Sequence, residues 1–250
     1  MAEALGDALA TPGFHWLVLV YLAAGLVRGF AGFGTALIIM PVASRLLPPA
    51  EAVAAMTLVD LVSWAAIVPR AWGHADRAEV GLLAAGAILA APLGVALLAV
   101  LDPVPVRWVV AVAAGVTLLA LVSGWRFHGR VRGAGLAGIG GAAGVLGGLT
   151  GLGGPPVILF YLAGPGKAVR IRANTILFLG LLDLGILANL ALRDMISGRA
   201  PALALLLAGP YLLTLLVGQR LFTPSRERFF RLTAYAIIAL AILSGLPLFD

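Results

Sequence analysis

Three charged residues, Arg28, Asp60 and Asp183, stand inside long apolar stretches of this 250-residue sequence. A guanidinium binds anions through parallel N–H donors, and a carboxylate can accept or release a proton. Either charge is costly in an apolar surrounding, so each needs a partner or a function there. Arg28 either extends its side chain to the edge of its stretch or stays inside and pairs with an anion. The two aspartates are candidates for proton coupling; alternatively, each pairs with a nearby arginine.

Two glycine-rich stretches lie in similar apolar surroundings: GFAGFG at Gly29–Gly34 and GLTGLG at Gly148–Gly153. Glycine adopts backbone torsions that other residues avoid, and it lets a ligand approach the backbone closely. We expect each stretch to interrupt a helix, so that the segments beginning near Gly34 and Gly154 point free N–H groups at one anion site. The alternative role of such glycines is close helix packing. We expect that role at Gly25, Gly29, Gly144 and Gly148.

An anion site is expected where the two interruptions meet. Glycines would shape it, and hydroxyl and amide side chains would donate hydrogen bonds. Thr57 and Thr175 occupy matching positions of an internal repeat, although a threonine hydroxyl often bonds only to its own helix. The candidate coupling residues are Asp60 and Asp183. The candidate substrate-binding residues are Arg28, Gly32, Gly34, Thr35, Thr57, Thr150, Gly151, Gly153, Gly154, Asn174 and Thr175.

The elements that hold these residues must be stable in lipid. Hydrophobic residues make up 62% of the chain and charged residues 11%, with a mean hydropathy of +1.07. A soluble domain cannot bury so much apolar surface, so the sequence predicts an all-α polytopic membrane protein. The chain has no cysteine, which excludes disulfides, thiolate metal sites and cysteine nucleophiles. Its acidic N-terminal residues lack the basic region of a cleaved signal peptide, which we therefore do not expect.

The apolar residues form ten segments. A full membrane span takes about 20 residues, so the second and seventh segments are too short and the first is borderline. The segments cover approximately residues 14–28, 34–47, 51–69, 79–101, 104–124, 133–149, 154–164, 169–192, 200–219 and 229–248.

Basic residues fall between the apolar segments, and their distribution predicts the orientation of the chain. Thirteen Lys and Arg residues lie in one set of alternate connections and four in the other, which includes both termini. The richer set is expected to be cytoplasmic, so both termini are predicted to be extracytoplasmic. The net charge of +6 is therefore attributed to topology, and nucleic-acid binding is not expected. The richer set is Arg28, Arg70, Arg77, Arg126, Arg130, Arg132, Lys167, Arg170, Arg172, Arg220, Arg226, Arg228 and Arg231, and the other set is Arg45, Arg107, Arg193 and Arg199.

The two glycine stretches belong to a longer internal repeat. Ala24–Gly34 aligns with Ala143–Gly153 at an offset of 119 residues, and Pro92 aligns with Pro210 at an offset of 118. Each half holds five apolar segments, an odd number, so the second half enters the membrane from the opposite side. Many secondary transporters have such an inverted repeat, with broken helices at the substrate site. We expect two halves, residues 1–128 and 129–250, within one integral membrane domain.

The paired sequences GFAGFGTALIIMP and GGLTGLGGPPVILFY, each followed by a helix with the pattern A-x-T, resemble the TauE/SafE family of membrane permeases, the sulfite exporter family. The resemblance covers nearly the whole chain and both repeats. It implies export or uptake of small sulfur or organosulfur anions, such as sulfite, thiosulfate, sulfoacetate and other sulfonates. It also implies a prokaryotic-type plasma membrane and, for many members, coupling to an ion gradient. Thr35 and Ala36 stand where the second motif has Gly154 and Pro155, so we expect chemically unequal half-sites.

The main functional hypothesis is therefore a secondary transporter that exports a small sulfur-containing anion. A passive anion channel is the first alternative, and an intramembrane enzyme is a weaker one. The sequence contains no H-E-x-x-H, G-x-S-G or G-x-G-D motif, so no catalytic residue, metal site or cofactor is predicted. The expected partners are the anion, the lipid bilayer and a coupling proton or sodium ion. The sequence does not predict the oligomeric state.

Overall fold

The computed structural model describes residues 2–124, 131–162, 168–221 and 227–248. Every regular element in these ranges is an α-helix, as the composition predicts. The helices are α1 Ala2–Leu9, α2 Phe14–Ala31, α3 Thr35–Leu46, α4 Pro49–Trp72, α5 Arg77–Val100, α6 Pro103–Ser123, α7 Ala134–Thr150, α8 Gly154–Leu162, α9 Ala168–Leu192, α10 Arg199–Leu221 and α11 Glu227–Gly245.

Helices α2 to α11 coincide with the ten predicted apolar segments, and their ends differ by at most three residues. Helix α1 was not predicted; it is short, carries Glu3 and Asp7, and packs against α10. Within the described ranges, seven helices are long and apolar enough to cross a membrane: α2, α4, α5, α6, α9, α10 and α11.

The two segments predicted to be too short for a span form the short helices α3 and α8. Helix α3 has 12 residues and α8 has 9. At about 1.5 Å per residue, neither reaches across a hydrocarbon core of about 30 Å. A helix of this length that enters a membrane ends inside the hydrocarbon core, where the protein must satisfy its terminal polar groups.

Each short helix is separated from its predecessor by a glycine turn. Helix α2 ends at Ala31, and Gly32 and Gly34 adopt left-handed torsions with φ of 80° and 103°. Helix α7 ends at Thr150, and Gly151 adopts φ of 75°. A left-handed backbone costs other L-residues about 1–2 kcal/mol, so glycine permits the turn. The predicted interruption of the helices at both stretches is confirmed.

The remaining glycines of the two stretches let pairs of long helices approach closely. Along α2, a Cβ atom added to Gly25 or Gly29 would meet backbone carbonyl oxygens of α10. Along α7, a Cβ atom added to Gly144 or Gly148 would meet backbone carbonyl oxygens of α5. Small residues permit this close contact, and the packing role predicted for these four glycines is confirmed.

Helix contacts recur between the two halves in exchanged order. Helix α2 packs on α10 and α7 on α5; α4 packs on α10 and α9 on α5; α3 packs on α11 and α8 on α6. Such an exchange is expected of an inverted repeat, while the direction in which each helix crosses a membrane stays a prediction. The boundary between residues 128 and 129 lies outside the described residues, as do Arg126, Arg130, Lys167 and Arg226 of the charge pattern.

Candidate anion-binding site

Arg28 is the centre of a buried hydrogen-bonded cluster beside the first helix break. It lies in the last turn of α2, and its exposed fraction is 6%. Its Nη1 atom donates to Oδ1 of Asp60 at 2.9 Å and to Oγ1 of Thr35 at 3.0 Å. The side chain does not extend to the edge of the apolar stretch, because it is buried. It stays inside, and the anion that it pairs with in this structure is a carboxylate of the chain itself.

Tyr211 joins this cluster from α10. Its hydroxyl donates to Oδ1 of Asp60 at 3.1 Å and lies 2.9 Å from Oγ1 of Thr35. Tyr211 was not among the predicted site residues. Its position was the available signal: it lies in the middle of an apolar span, next to Pro210, whereas tyrosine in membrane helices is enriched at the interfaces. A buried tyrosine hydroxyl usually has a hydrogen-bond partner, which points to a polar centre at that depth.

A small cavity lies where the two helix breaks meet. Its volume is about 30 Å³, which is room for one or two water molecules. The first break, the second break and the long helices α4 and α9 all contribute to its wall. The predicted site residues that line it are Arg28, Gly34, Thr35, Asp60, Gly151, Gly153, Gly154 and Asp183.

Asp183 reaches this cavity from α9, and its exposed fraction is 8%. Within the described part of the chain it makes no hydrogen bond. A buried carboxylate charge without a partner costs several kcal/mol. Asp183 therefore needs a proton, a bound cation or the nearby charge of Arg28 to be stable at this position.

The two short helices present different groups to the cavity. Helix α3 begins at Thr35, and the first N–H groups of a helix have no partner within that helix. Helix α8 begins at Gly154 and continues with Pro155 and Pro156, which have no N–H. An anion in the cavity would therefore find donors mainly on the α3 side.

Four of the predicted binding residues do not line the cavity. Gly32 forms the first turn, but a side chain added there would point at α9. Thr150 and Thr175 donate to carbonyl oxygens of their own helices, at 2.6 and 2.9 Å. The hydroxyl of Thr57 is buried and has no hydrogen-bond partner among the described residues. Thr150 and Thr175 therefore show the local bonding that was the alternative to substrate binding, whereas Thr57 does not.

Asn174 lies at a different polar contact, which joins the beginning of α9 to the beginning of α5. Its Oδ1 accepts from the backbone N–H of Asp76 at 2.8 Å. Its Nδ2 donates to Oε1 of Glu79 at 3.0 Å. Both hydrogen-bonding groups of its amide are occupied here, so the structure does not bring Asn174 together with the cavity residues.

A larger cavity of about 730 Å³ lies away from the breaks, between α1, α4 and the beginning of α10. Three carboxylates, Glu3, Asp7 and Glu51, line it together with Arg199. Arg199 donates to both carboxylate oxygens of Glu51, at 2.6 and 2.8 Å, so its charge is already compensated. The excess of carboxylates repels anions. The small cavity at the breaks is therefore the candidate anion site.

The described residues contain seven apolar helices long enough to span a membrane, and two short helices begin at glycine turns beside a cavity that Arg28 also lines. These features define a polytopic membrane protein of the transporter class. The family model described as "Sulfite exporter TauE/SafE" matches residues 17–245. The chain belongs to this family, and the resemblance seen in its motifs is confirmed. The family consists of membrane transporters for sulfite and related sulfur anions. No curated protein and no solved structure gives a significant match to the chain.

Proposed function

We propose that this chain is a secondary transporter that exports a small sulfur-containing or organosulfur anion, such as sulfite, thiosulfate, sulfoacetate or another sulfonate, across the plasma membrane. The observation that supports this best is the buried guanidinium of Arg28 in a cavity lined by both helix breaks. A guanidinium donates parallel hydrogen bonds to the oxygens of one oxyanion. The beginning of α3 adds free N–H groups and the positive end of a helix dipole.

The site in this structure is closed around the carboxylate of Asp60. The cavity of about 30 Å³ has room for water but is too small for a sulfite ion, which has one sulfur and three oxygen atoms. Binding therefore requires the cluster to open, and the contact that occupies Arg28 is its ion pair with Asp60. We infer that the substrate anion replaces the carboxylate of Asp60 on Arg28.

A proton on Asp60 would make this replacement favourable. Charged Asp60 without Arg28 is a buried, unpaired carboxylate, which costs several kcal/mol. Protonated Asp60 is neutral, and its carbonyl oxygen can still accept from Tyr211. Asp183 lines the same cavity, so a proton can be held by either carboxyl group. We therefore propose Asp60 and Asp183 as the coupling residues, with sodium as the alternative coupling ion.

Flux into proteoliposomes across a pH gradient tests the coupling. Asp60→Asn and Asp183→Asn are compared with Asp102→Asn, a matched control at an exposed position outside the site. If Asp60 or Asp183 couples transport to protons, its asparagine variant should still bind sulfite, but its flux should no longer depend on the pH gradient. If both variants keep that dependence, the carboxylates are structural, and a sodium gradient or uncoupled exchange is tested next.

The same vesicles separate a carrier from a passive channel. A carrier saturates with anion concentration, and unlabelled anion on one side accelerates the movement of labelled anion from the other. The closed cavity around an ion pair favours the carrier. Flux that rises linearly with anion concentration and shows no counter-exchange would contradict the carrier and support the passive channel.

A further inference from the structure

Arg172 lies against the first helix break and has no oppositely charged partner among the described residues. It stands near the beginning of α9 and is exposed. A Cβ atom on Gly32 would lie 3.3 Å from Nε and 3.6 Å from Cδ of Arg172. The N–H of Gly32 in turn donates to the carbonyl oxygen of Arg28 at 2.8 Å. Two arginines therefore flank one glycine turn, the first buried and the second open to the surface.

The charges at this turn are unbalanced. Arg28 is compensated by Asp60, and the charge of Arg28 acts unfavourably on Arg172. Like charges repel, and an anion held between them removes that repulsion. Gly32 lets the Arg172 side chain lie close to the turn, because a Cβ atom at position 32 would force that side chain to shift by a few tenths of an ångström.

We propose that Arg172 and the turn Gly32–Gly34 form an outer subsite that receives a small oxyanion before it passes to Arg28. This inference rests on the function proposed for the inner site. Its ligand carries two or more oxygens on one centre, as sulfite and sulfonate groups do, because a guanidinium presents parallel donors. Arg172 belongs to the basic connections predicted to be cytoplasmic, so the subsite faces the side from which an exporter collects its substrate.

The experiment compares Arg172→Gln with Arg170→Gln. Arg170 is exposed on the same helix and carries the same charge, so it controls for a general loss of positive potential. Initial rates of sulfite and sulfoacetate flux are measured in proteoliposomes in both directions. The orientation of the protein is read from an impermeant label on a cysteine introduced by Gly73→Cys, at an exposed position of this cysteine-free chain.

We expect Arg172→Gln to raise the half-saturating sulfite concentration about tenfold on the Arg172 side only, as the loss of a charge-assisted hydrogen bond predicts. The maximal rate of Arg172→Gln, and its half-saturating concentration on the opposite side, should equal the values measured for Arg170→Gln. Arg172→Lys should restore part of the affinity, because the charge returns without the parallel donors.

Two results would overturn the subsite, and they are distinguishable. If the wild-type protein transports sulfite or sulfoacetate and Arg172→Gln matches Arg170→Gln on both sides, the outer subsite is wrong and the inner site stands. If the wild-type protein moves neither anion in either direction, the proposed function fails, and the subsite fails with it.

Discussion

The two helix breaks share their glycine spacing and a left-handed turn, but among the described residues the hydrogen-bonded charged cluster lies at the first break. At the first break, Arg28 and Thr35 are bonded to Asp60 and Tyr211. At the second, a Cβ atom added to Gly151 would meet methionine side chains of α3 and α4. The repeated backbone therefore provides two turns of similar shape, and the side chains around them give the turns different chemistry.

The polar residues of the cluster have apolar or glycine counterparts in the other half. Because one guanidinium binds one oxyanion, we propose that the site takes a single anion, held by the first break and shaped by the second. The expectation of unequal half-sites thus extends well beyond the two motif positions that suggested it. At the repeat offsets of 119 and 118, Arg28 corresponds to Gly147, Thr35 to Gly154, Asp60 to Phe178 and Tyr211 to Leu93.

Removing the charge of the first break should have the largest effect. Arg28→Gln leaves Asp60 buried without its partner, and breaking a buried ion pair costs about 3–5 kcal/mol. We expect a corresponding loss of stability in thermal unfolding in detergent, and no sulfite binding by calorimetry. The double variant Arg28→Gln with Asp60→Asn removes both charges, so it should recover most of the stability but no binding. Sulfite binding by the double variant would contradict the assignment of the anion to Arg28.

Replacing a turn glycine by alanine should destabilise the two breaks to different extents. In Gly151→Ala the new Cβ lies 2.9 Å from Cε of Met56 and 3.2 Å from Cγ of Met40, in addition to the left-handed strain. In Gly34→Ala it lies no closer than 3.6 Å to any atom, so the strain alone remains. We expect the free energy of unfolding, measured by thermal unfolding, to fall by about 2–4 kcal/mol in Gly151→Ala and by about 1–2 kcal/mol in Gly34→Ala. Gly115→Ala, in open space on α6, is the control, and equal losses at both breaks would disprove the difference in packing.

Tyr211→Phe tests whether the cluster of the first break reaches α10. The variant removes the hydroxyl that bridges Asp60 and Thr35, at a cost of about 1–2 kcal/mol. We expect slower sulfite flux in addition, because Asp60 loses a donor that holds it. Tyr235→Phe removes a hydroxyl that donates to a backbone carbonyl elsewhere, so it should reduce stability alone. Identical flux in the two variants would remove Tyr211 from the site.

The smallest effect is expected at Thr57, whose repeat counterpart is Thr175. The Thr57 hydroxyl has no hydrogen-bond partner among the described residues, so Thr57→Val should leave thermal stability unchanged or slightly raised. Thr175→Val removes a hydrogen bond to the same helix and should cost no more than about 1 kcal/mol. Loss of sulfite binding in Thr57→Val would show that this hydroxyl contacts the anion in an open form of the site.

The helices were predictable because lipid imposes long apolar segments, and glycine spacing revealed where two of them break. Arg28, Asp60 and Asp183 were predictable as well, because a charged residue stands out in an otherwise apolar segment. Tyr211 was missed, because a tyrosine does not interrupt an apolar pattern and its mid-span position was the one signal that distinguished it. Asn174 was placed near the site from its neighbours in sequence, but the contact between α9 and α5 depends on the packing of distant segments.

Because Arg28 and Asp60 carry opposite charges 2.9 Å apart, the closed pair contributes no net charge in the electric field of a membrane. In the proposed exchange, a monovalent anion replaces the carboxylate on Arg28 while a proton neutralises Asp60. The net charge of Arg28, Asp60 and the anion is then again zero. An unchanged charge on Asp183 contributes equally to the empty and the loaded site. Moving one charge through a potential of 100 mV involves about 2.3 kcal/mol. Because the empty and the loaded site have equal charge, the free energy of their reorientation would not depend on that voltage. Transport of a monosulfonate with one proton would then be electroneutral, whereas a divalent anion would leave one negative charge to move and would generate current.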